Sequence, residues 1–285
     1  LTKVDSLIYE SPNSARLLFR SKPVPNSRQD KILGALLGAA IGDVVGQSIC
    51  GKSKEEIVSL FGDQGVSAPP HDSLVSHNFQ LMLFAIDALM SATRKNRKLS
   101  IIEISKCLIE CAVEWQFVIN NPRIFHNYKL DQIGPNTCTD FMKNHPMWKI
   151  KRFGLNNSTS DKTTYINPLI LALMLFTNER TTSEVSRELF KKFGFPKVNV
   201  DIKNFSNIFI EELDYSKIIQ NNGINSMMFQ INDSINPQLE GIVRGFEHGA
   251  KYGIKGFKNI WYLRLDAMSL IEQMGWLVGR NINFR

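Results

Sequence analysis

The sequence predicts an all-α protein, and three observations carry that prediction. Apolar residues recur at the three- and four-residue spacing of buried helices over most of the chain. Several of these stretches begin with a capping residue, and strand signals with hairpin turns are scarce. With 285 residues, 43% hydrophobic and 21% charged, the chain is long enough to bury a large core. We therefore expect one compact multi-helix domain over residues 29–285, without an internal repeat.

Residues 1–28 have a different character. They contain Pro12, Pro23 and Pro25 and show no sustained periodicity, which predicts an extended N-terminal arm suited to wrapping around a partner. The chain opens on Leu1 and its first 28 residues are poor in acids. This pattern is typical of a processed organelle protein, so we expect the mitochondrial matrix or another organelle, with the cytoplasm as the alternative.

The first helix is predicted from Asp30 to Gly46, with Asn26 or Ser27 as its cap. Every fourth residue of one face is glycine, at positions 34, 38 and 42. Each glycine in a helix interior costs about 1 kcal/mol relative to alanine. A face that keeps three of them must therefore meet something closely, either a second helix or a ligand.

The remaining helices follow from periodicity and start signals. Ser100 with Glu103, Thr182, and Asn236 before Pro237 all resemble helix starts. The predicted spans are Ser53–Phe61, Leu74–Thr93, Ile101–Phe117, Pro135–Lys143, Tyr165–Phe176, Ser183–Phe193, Asn207–Gln220, Pro237–Tyr252 and Trp261–Arg280.

The charge balance and the cysteines limit the classes of partner and site. A net charge of +7 without long charge runs suits an acidic or ribonucleoprotein surface, although a solvated basic surface has the same signature. Cys107 and Cys111 lie four residues apart, as for core packing rather than zinc. The longest apolar run, Ile166–Phe176, is shorter than a membrane span, so no transmembrane segment is expected.

Several short motifs occur along the chain in the same order as in one known family. They are Gly34-Ala-Leu-Leu-Gly38-Ala-Ala-Ile-Gly42-Asp43-Val-Val-Gly46, Ser76-His77-Asn78-Phe79-Gln80-Leu-Met-Leu83, Ile133-Gly134-Pro135-Asn136-Thr137, Ile166-Asn167-Pro168-Leu169 and the glycine-rich Glu240–Gly253. Together they resemble the ADP-ribosylglycohydrolase family, which includes the dinitrogenase-reductase-activating glycohydrolases and the J1 crystallins. The resemblance covers about Asp30 to Arg280 and implies an all-α fold.

The resemblance also implies a chemistry, namely hydrolysis of the bond between ADP-ribose and a protein side chain with two Mg²⁺ ions. The family's metal ligands fall here on His77, Asn78, Phe79, Asn236 and Gln238. These neutral side chains remove the negative charge that Mg²⁺ requires. We therefore expect degenerate metal motifs, no cofactor and no catalytic residue, even if a gap in the alignment moves Asp233 into the site.

The resemblance also implies a ligand cleft, in which a residual binding site is an alternative to catalysis. Its candidate residues are Gly42, Asp43, Gly134, Asn136 and Thr137. A simpler interpretation of Asp43 is a helix-end residue that accepts hydrogen bonds from local amides. A zinc site made by His77 and His248 is not supported by their spacing.

The favoured hypothesis is a catalytically inactive protein that serves as a structural or interaction subunit among the protein subunits of a larger assembly. Trp148, Phe153 and Trp261 are its candidate exposed docking aromatics. The first alternative is a module that binds ADP-ribose or a nucleotide without turnover. The second is a divergent hydrolase with relocated acids. The candidates for those acids are Asp63, Asp72, Asp161 and Asp233.

Overall fold

A computed structural model of the chain describes residues 23–71, 73, 75–93, 99–120, 162–193, 223–234, 236–262, 264–265 and 267–280. The regular elements in these ranges are helices, without a β-strand; an isolated parallel bridge joins Ser73 to Leu265. The predicted all-α class is confirmed. The helices are α1 (Arg28–Ile49), α2 (Lys54–Phe61), α3 (His77–Thr93), α4 (Ile101–Asn120), α5 (Lys162–Met174), α6 (Glu179–Phe193), α7 (Gly223–Asn232), α8 (Pro237–Tyr252), a 3₁₀ turn (Ile254–Gly256), α9 (Asn259–Tyr262) and α10 (Met268–Arg280).

Helix α1 lies at the centre of the domain. Its N-cap is Ser27, whose side chain accepts a hydrogen bond from the backbone of Asp30, so one of the two predicted caps is correct and the helix starts at Arg28. Nearly every residue from Asp30 to Gly46 is buried. The helix packs most extensively on α8 and also against α3, α7 and α10. Around this pair, α5 and α4 pack on α3, and α6 packs on α4.

The expectation of no membrane-length segment needs a correction. By length and composition α1 is apolar enough to cross a membrane, although polar residues interrupt it and leave no long uninterrupted apolar run. Because 89% of its most apolar stretch is buried inside the protein, core packing accounts for the hydropathy of this helix, and the buried core helix of a globular protein can have the same composition.

The glycine face of α1 is a seam between two helices. A Cβ atom placed on Gly34, Gly38 or Gly42 would overlap backbone carbonyls of Gly249, Gly245 or Gly241, and the reverse holds for the glycines of α8. The two helices run antiparallel with their backbones in contact, because no side chain on either face holds them apart. Close approach by a second helix, one of the two predicted explanations, is the one observed.

Several helix boundaries agree with the sequence prediction. Helix α8 spans the predicted residues and is capped by Asn236 with Pro237 in its first turn. Ser100 and Glu103 exchange hydrogen bonds at the start of α4, and Ser53 forms the corresponding capping box with Glu56 at α2. At these positions the local capping chemistry alone fixes the helix start.

Other boundaries were predicted wrongly. Helix α6 begins at Glu179, and its cap is Asn178, which accepts the N–H of Thr181; the predicted cap Thr182 is buried inside the helix. The predicted span Trp261–Arg280 is two helices, because the chain between them turns to pair with Ser73, whose N–H donates to the carbonyl of Arg264.

Helix α7 was missed by the sequence analysis, and it is secured by a tertiary contact. The Asn232 side chain accepts the N–H of Val66 at 2.9 Å and donates to its carbonyl at 3.0 Å. The predicted helices Pro135–Lys143 and Asn207–Gln220 lie outside the described residues.

Two predictions about single side chains have opposite outcomes. Cys111 is fully buried and Cys107 packs against the core, which confirms core packing for this pair. Trp261 is not an exposed docking aromatic, because only 2% of it is accessible and it belongs to the hydrophobic core. Trp148 and Phe153 lie outside the part of the chain that the structure describes.

Candidate functional site

The centre of the candidate site is a hydrogen-bonded pair formed by Asp43 of α1 and Ser76, the residue before α3. The carboxylate of Asp43 accepts the backbone N–H of Ser76 at 2.6 Å and its hydroxyl at 2.5 Å. Asp43 has no accessible surface. It lies in the helix interior and bonds a residue 33 positions away, so the interpretation as a helix-end residue with local amide partners is wrong.

Burial dominates the electrostatics of this carboxyl group. Removal from water raises the pKa of Asp43 from its ordinary 3.8 to about 7, against the two hydrogen bonds from Ser76, which lower it. Burial disfavours the charged form of a carboxyl group and hydrogen bonds favour it, and for Asp43 the effect of burial is the larger. Near neutral pH the carboxyl group is thus only partly ionised and supplies less than one negative charge.

Ser76 connects Asp43 to the first turn of α3 through hydrogen bonds. Its hydroxyl oxygen accepts the N–H of Asn78 at 3.1 Å, and its carbonyl accepts the N–H of Gln80 at 3.1 Å, which is the bonding of an N-cap residue. The sequence analysis noticed this segment but gave Ser76 no role. A serine directly before a helical apolar pattern was the signal that could have found it.

The segment that follows Ser76 carries the first set of positions where the resemblance places metal ligands. Asn78 is 2% accessible and its side-chain oxygen has no hydrogen-bond partner among the residues that the structure describes. Phe79 is fully buried in the core. His77 begins α3, and its side chain lies outside the described part of the structure. A second orphaned amide oxygen belongs to Asn167 of α5, which is 3% accessible.

The second set of positions lies at the start of α8. The side-chain oxygen of Asn236 accepts the N–H of Leu239 at 3.2 Å and is therefore used as the helix cap. Gln238 follows in the first turn, where its Cα atom stands against Gly46 of α1. Both segments are thus anchored on the C-terminal half of α1, one through Asp43 and the other through Gly46.

As a set of donors, these residues do not fit a pair of Mg²⁺ ions. Mg²⁺ binds through carboxylates and retains several of its waters. Here Asn78 offers an uncharged oxygen, the oxygen of Asn236 is used by the helix cap, and the buried Asp43 carboxylate is used by Ser76. Among the residues that the structure describes, no group of three or more His, Cys, Asp or Glu side chains is arranged to hold a metal ion.

The other predicted site residues are scattered. Gly42 lies in the helix seam against Gly241. Asp63 and Asp233 are exposed, and the N–H of Asp233 donates to the carbonyl of Phe229 at the end of α7. His248 is a buried residue whose Nε2 contacts the Gly256 carbonyl at 3.1 Å. Predicted residues outside the described ranges are Asp72, Gly134, Asn136, Thr137 and Asp161.

Comparison with known proteins shows the family to which the chain belongs. Curated protein sequences give no match to the chain. The family model described as ADP-ribosylglycohydrolase matches residues 24–188, which is more than half of the chain and includes the α1 glycine face, Asp43 and the Ser76 segment. The chain belongs to the ADP-ribosylglycohydrolase family.

Proposed function

We propose that this chain is a catalytically inactive ADP-ribosylglycohydrolase-like protein that serves as a structural or interaction subunit of a larger assembly. One observation carries the proposal: the two segments where the family's metal ligands are expected present three amides, a histidine and a phenylalanine in place of carboxylates, and Asn236 is committed to a helix cap. A dinuclear Mg²⁺ site needs several carboxylates to offset its charge and to position the attacking water. Without them, metal-assisted hydrolysis has no means of activating that water.

The part of the helical scaffold that the structure describes around the site is nevertheless well packed. The α1–α8 seam, the Asp43–Ser76 pair and the α3 start are all in place. Retention of a packed scaffold with neutralised metal positions supports a role that depends on shape and surface. The excess of basic residues, +7 overall, supports attachment to an acidic or ribonucleoprotein partner.

Turnover is the direct test of inactivity. The purified protein is incubated with peptides that carry ADP-ribose on arginine or on serine, with Mg²⁺, and free ADP-ribose is measured. We expect no release above the protein-free background, with the helical circular dichroism spectrum intact. An active family member serves as the positive control. Mg²⁺-dependent release by this chain would overturn the inactive assignment and favour the divergent hydrolase.

A second candidate, ADP-ribose or nucleotide binding without turnover, is favoured by one observation. The buried oxygen of Asn78 has no hydrogen-bond partner, and such an acceptor is costly unless something binds it. Isothermal titration with ADP-ribose separates the two functions. Saturable heat that disappears in an Asn78→Leu variant would establish the binding module, and absence of heat at millimolar ligand would exclude it.

Assembly is tested on the native protein. In gently lysed cells, sedimentation through a sucrose gradient reports the size of the particle that contains the chain. The proposal expects a particle far larger than the 32.4 kDa monomer, because a subunit should travel with its neighbours. Sedimentation as a free monomer would contradict the subunit role.

A further inference from the structure

The C-terminal end of α8 carries a concentrated positive charge. Lys251, Lys255 and Lys258 lie within eight residues that contain no acid, and Lys255 and Lys258 are exposed. None of the three forms an ion pair with any residue that the structure describes. The nearest preceding acid, Glu247, pairs with Arg244 at 3.0 Å. We name residues 251–258 the lysine corner.

The backbone of the lysine corner is fixed. Gly253 ends α8 with a φ of 66°, a left-handed conformation that favours glycine. The buried carboxylate of Asp30 accepts the N–H of Ile254 at 3.1 Å. On the other side, His248 contacts the carbonyl of Gly256 at 3.1 Å. A rigid backbone lowers the entropy lost when a partner binds.

Aromatic rings stand beneath two of the lysines. The amino group of Lys251 lies 5.2 Å from the centre of the Tyr252 ring, and that of Lys258 lies 5.8 Å from the Trp261 ring. Both distances allow a cation–π interaction. Trp261 and Phe257 are buried, so the corner offers charge on its surface and keeps these two ring faces in the core.

The lysine corner adjoins the point where the N-terminal segment enters the domain. The other oxygen of Asp30 accepts the N–H of Asn26 at 2.9 Å, so Asn26 and Ile254 are held on one carboxylate. By sequence, residues 1–22 have a net charge of +2, and their charged residues are Lys3, Asp5, Glu10, Arg16, Arg20 and Lys22. The sequence that precedes Pro23 is therefore basic as well.

We propose that the lysine corner is the docking surface for an acidic segment of a partner protein, an inference that rests on the proposed role as an interaction subunit. Lys251 also suits the negative end of the α8 dipole, but Lys255 and Lys258 lie beyond the helix and have no such role. Trp261 and Phe257 are buried and cannot stack on nucleobases, and the half-buried Tyr252 ring already packs against His248. Single-stranded nucleic acid is normally bound through such stacking. Acidic side chains need only the exposed ammonium groups that the corner provides.

The test uses the full chain and a fluorescein-labelled decaglutamate peptide, with binding measured by fluorescence anisotropy at low and physiological ionic strength. The variant replaces Lys251, Lys255 and Lys258 with Glu. The matched control makes the same change in net charge at three other exposed lysines, Lys52, Lys54 and Lys191. We expect the corner variant to lose about tenfold or more in affinity and the control to lose much less.

Two further measurements keep the test decisive. Thermal midpoints identify a folding defect, and Lys255→Ala with Lys258→Ala, which retains Lys251 at the helix end, should still weaken peptide binding. Equal losses in the corner variant and the control would overturn the proposal. So would a corner that binds an oligo-dT strand more tightly than the peptide. Release of ADP-ribose by the native protein would refute the inactive assignment alone, because peptide binding is measured separately.

Discussion

The carboxylate of Asp43 accepts both the backbone N–H and the hydroxyl of Ser76, at 2.6 and 2.5 Å. One acid in the core of α1 thereby fixes the first turn of α3, because the same serine hydroxyl accepts the N–H of Asn78. The pair is a structural joint between two helices, placed where the family is expected to hold its metal ions. Its charge state links stability to pH.

Stability is expected to fall as the pH rises through the interval between the ordinary pKa of Asp43, 3.8, and its folded value of about 7. Within that interval the folded state binds more protons than the unfolded state, so the stabilisation is complete below the lower value and is lost as Asp43 ionises. The slope for one such group approaches about 1.4 kcal/mol per pH unit. Urea unfolding at several pH values between these limits measures it.

Asp43→Asn isolates this contribution. The amide keeps an oxygen for the Ser76 N–H and has nearly the same size, but it cannot ionise. The free energy of unfolding of the variant should therefore increase relative to that of the native protein as the pH rises. Glu272, whose pKa burial also raises to about 7, titrates in the same range, and Glu272→Gln provides the parallel comparison. A constant difference between native and Asp43→Asn across the interval would contradict a buried, ionising Asp43.

Alanine in the glycine seam should destabilise the domain. A Cβ on Gly38 would stand 2.7 Å from the carbonyl carbon of Gly245 and 2.8 Å from the Phe257 ring, closer than real contacts allow. The helix propensity of alanine would favour the change by about 1 kcal/mol. We expect overpacking to outweigh it, with a net loss of about 1–3 kcal/mol in the free energy of unfolding measured by denaturant titration.

Gly51→Ala is the control for that experiment. Gly51 has a φ of 75° and open space around its Cα, so alanine there adds backbone strain of about 1 kcal/mol without a clash. Comparable losses at both positions would show that the seam has no special packing requirement.

The native protein should gain no thermal stability from millimolar Mg²⁺. Replacing His77, Asn78, Asn236 and Gln238 together with Asp should create that gain, because ligand binding to the folded state raises the melting temperature by mass action. Aspartate also caps helices well, so position 236 tolerates the change. The measurement is a melting curve with Mg²⁺ against Na⁺ at equal ionic strength. A Mg²⁺-specific rise in the native protein would refute the expectation.

Asn78→Leu is expected to stabilise the domain by about 1 kcal/mol. The buried side-chain oxygen of Asn78 has no hydrogen-bond partner, and an apolar side chain of similar size removes its desolvation penalty. Denaturant midpoints compare it with Leu83→Asn, the reverse exchange at a fully buried position of the same helix, which should be strongly destabilising. A loss of stability in Asn78→Leu would mean that the oxygen has a partner such as a buried water.

The sequence predicted the helices best where local chemistry decides them. Helix α8 has the predicted bounds because Asn236 and Pro237 start it and Gly253 ends it. The prediction from sequence failed where distant contacts decide the structure. The break between α9 and α10 depends on the pairing of Ser73 with residues 264 and 265. Helix α7 depends on the bonds between Asn232 and Val66, and neither leaves a local signal.

For the candidate site, the sequence by itself determined the residue types: no carboxylate at the expected metal positions, one acid at position 43 and a glycine every fourth residue before it. Tertiary structure decided what those residues do. Only the fold shows that the glycines meet backbone carbonyls of α8 and that Asp43 bonds Ser76. The physical reason is that close glycine packing and burial depend on what lies opposite each residue, and residues 33 or about 200 positions away lie beyond any local pattern.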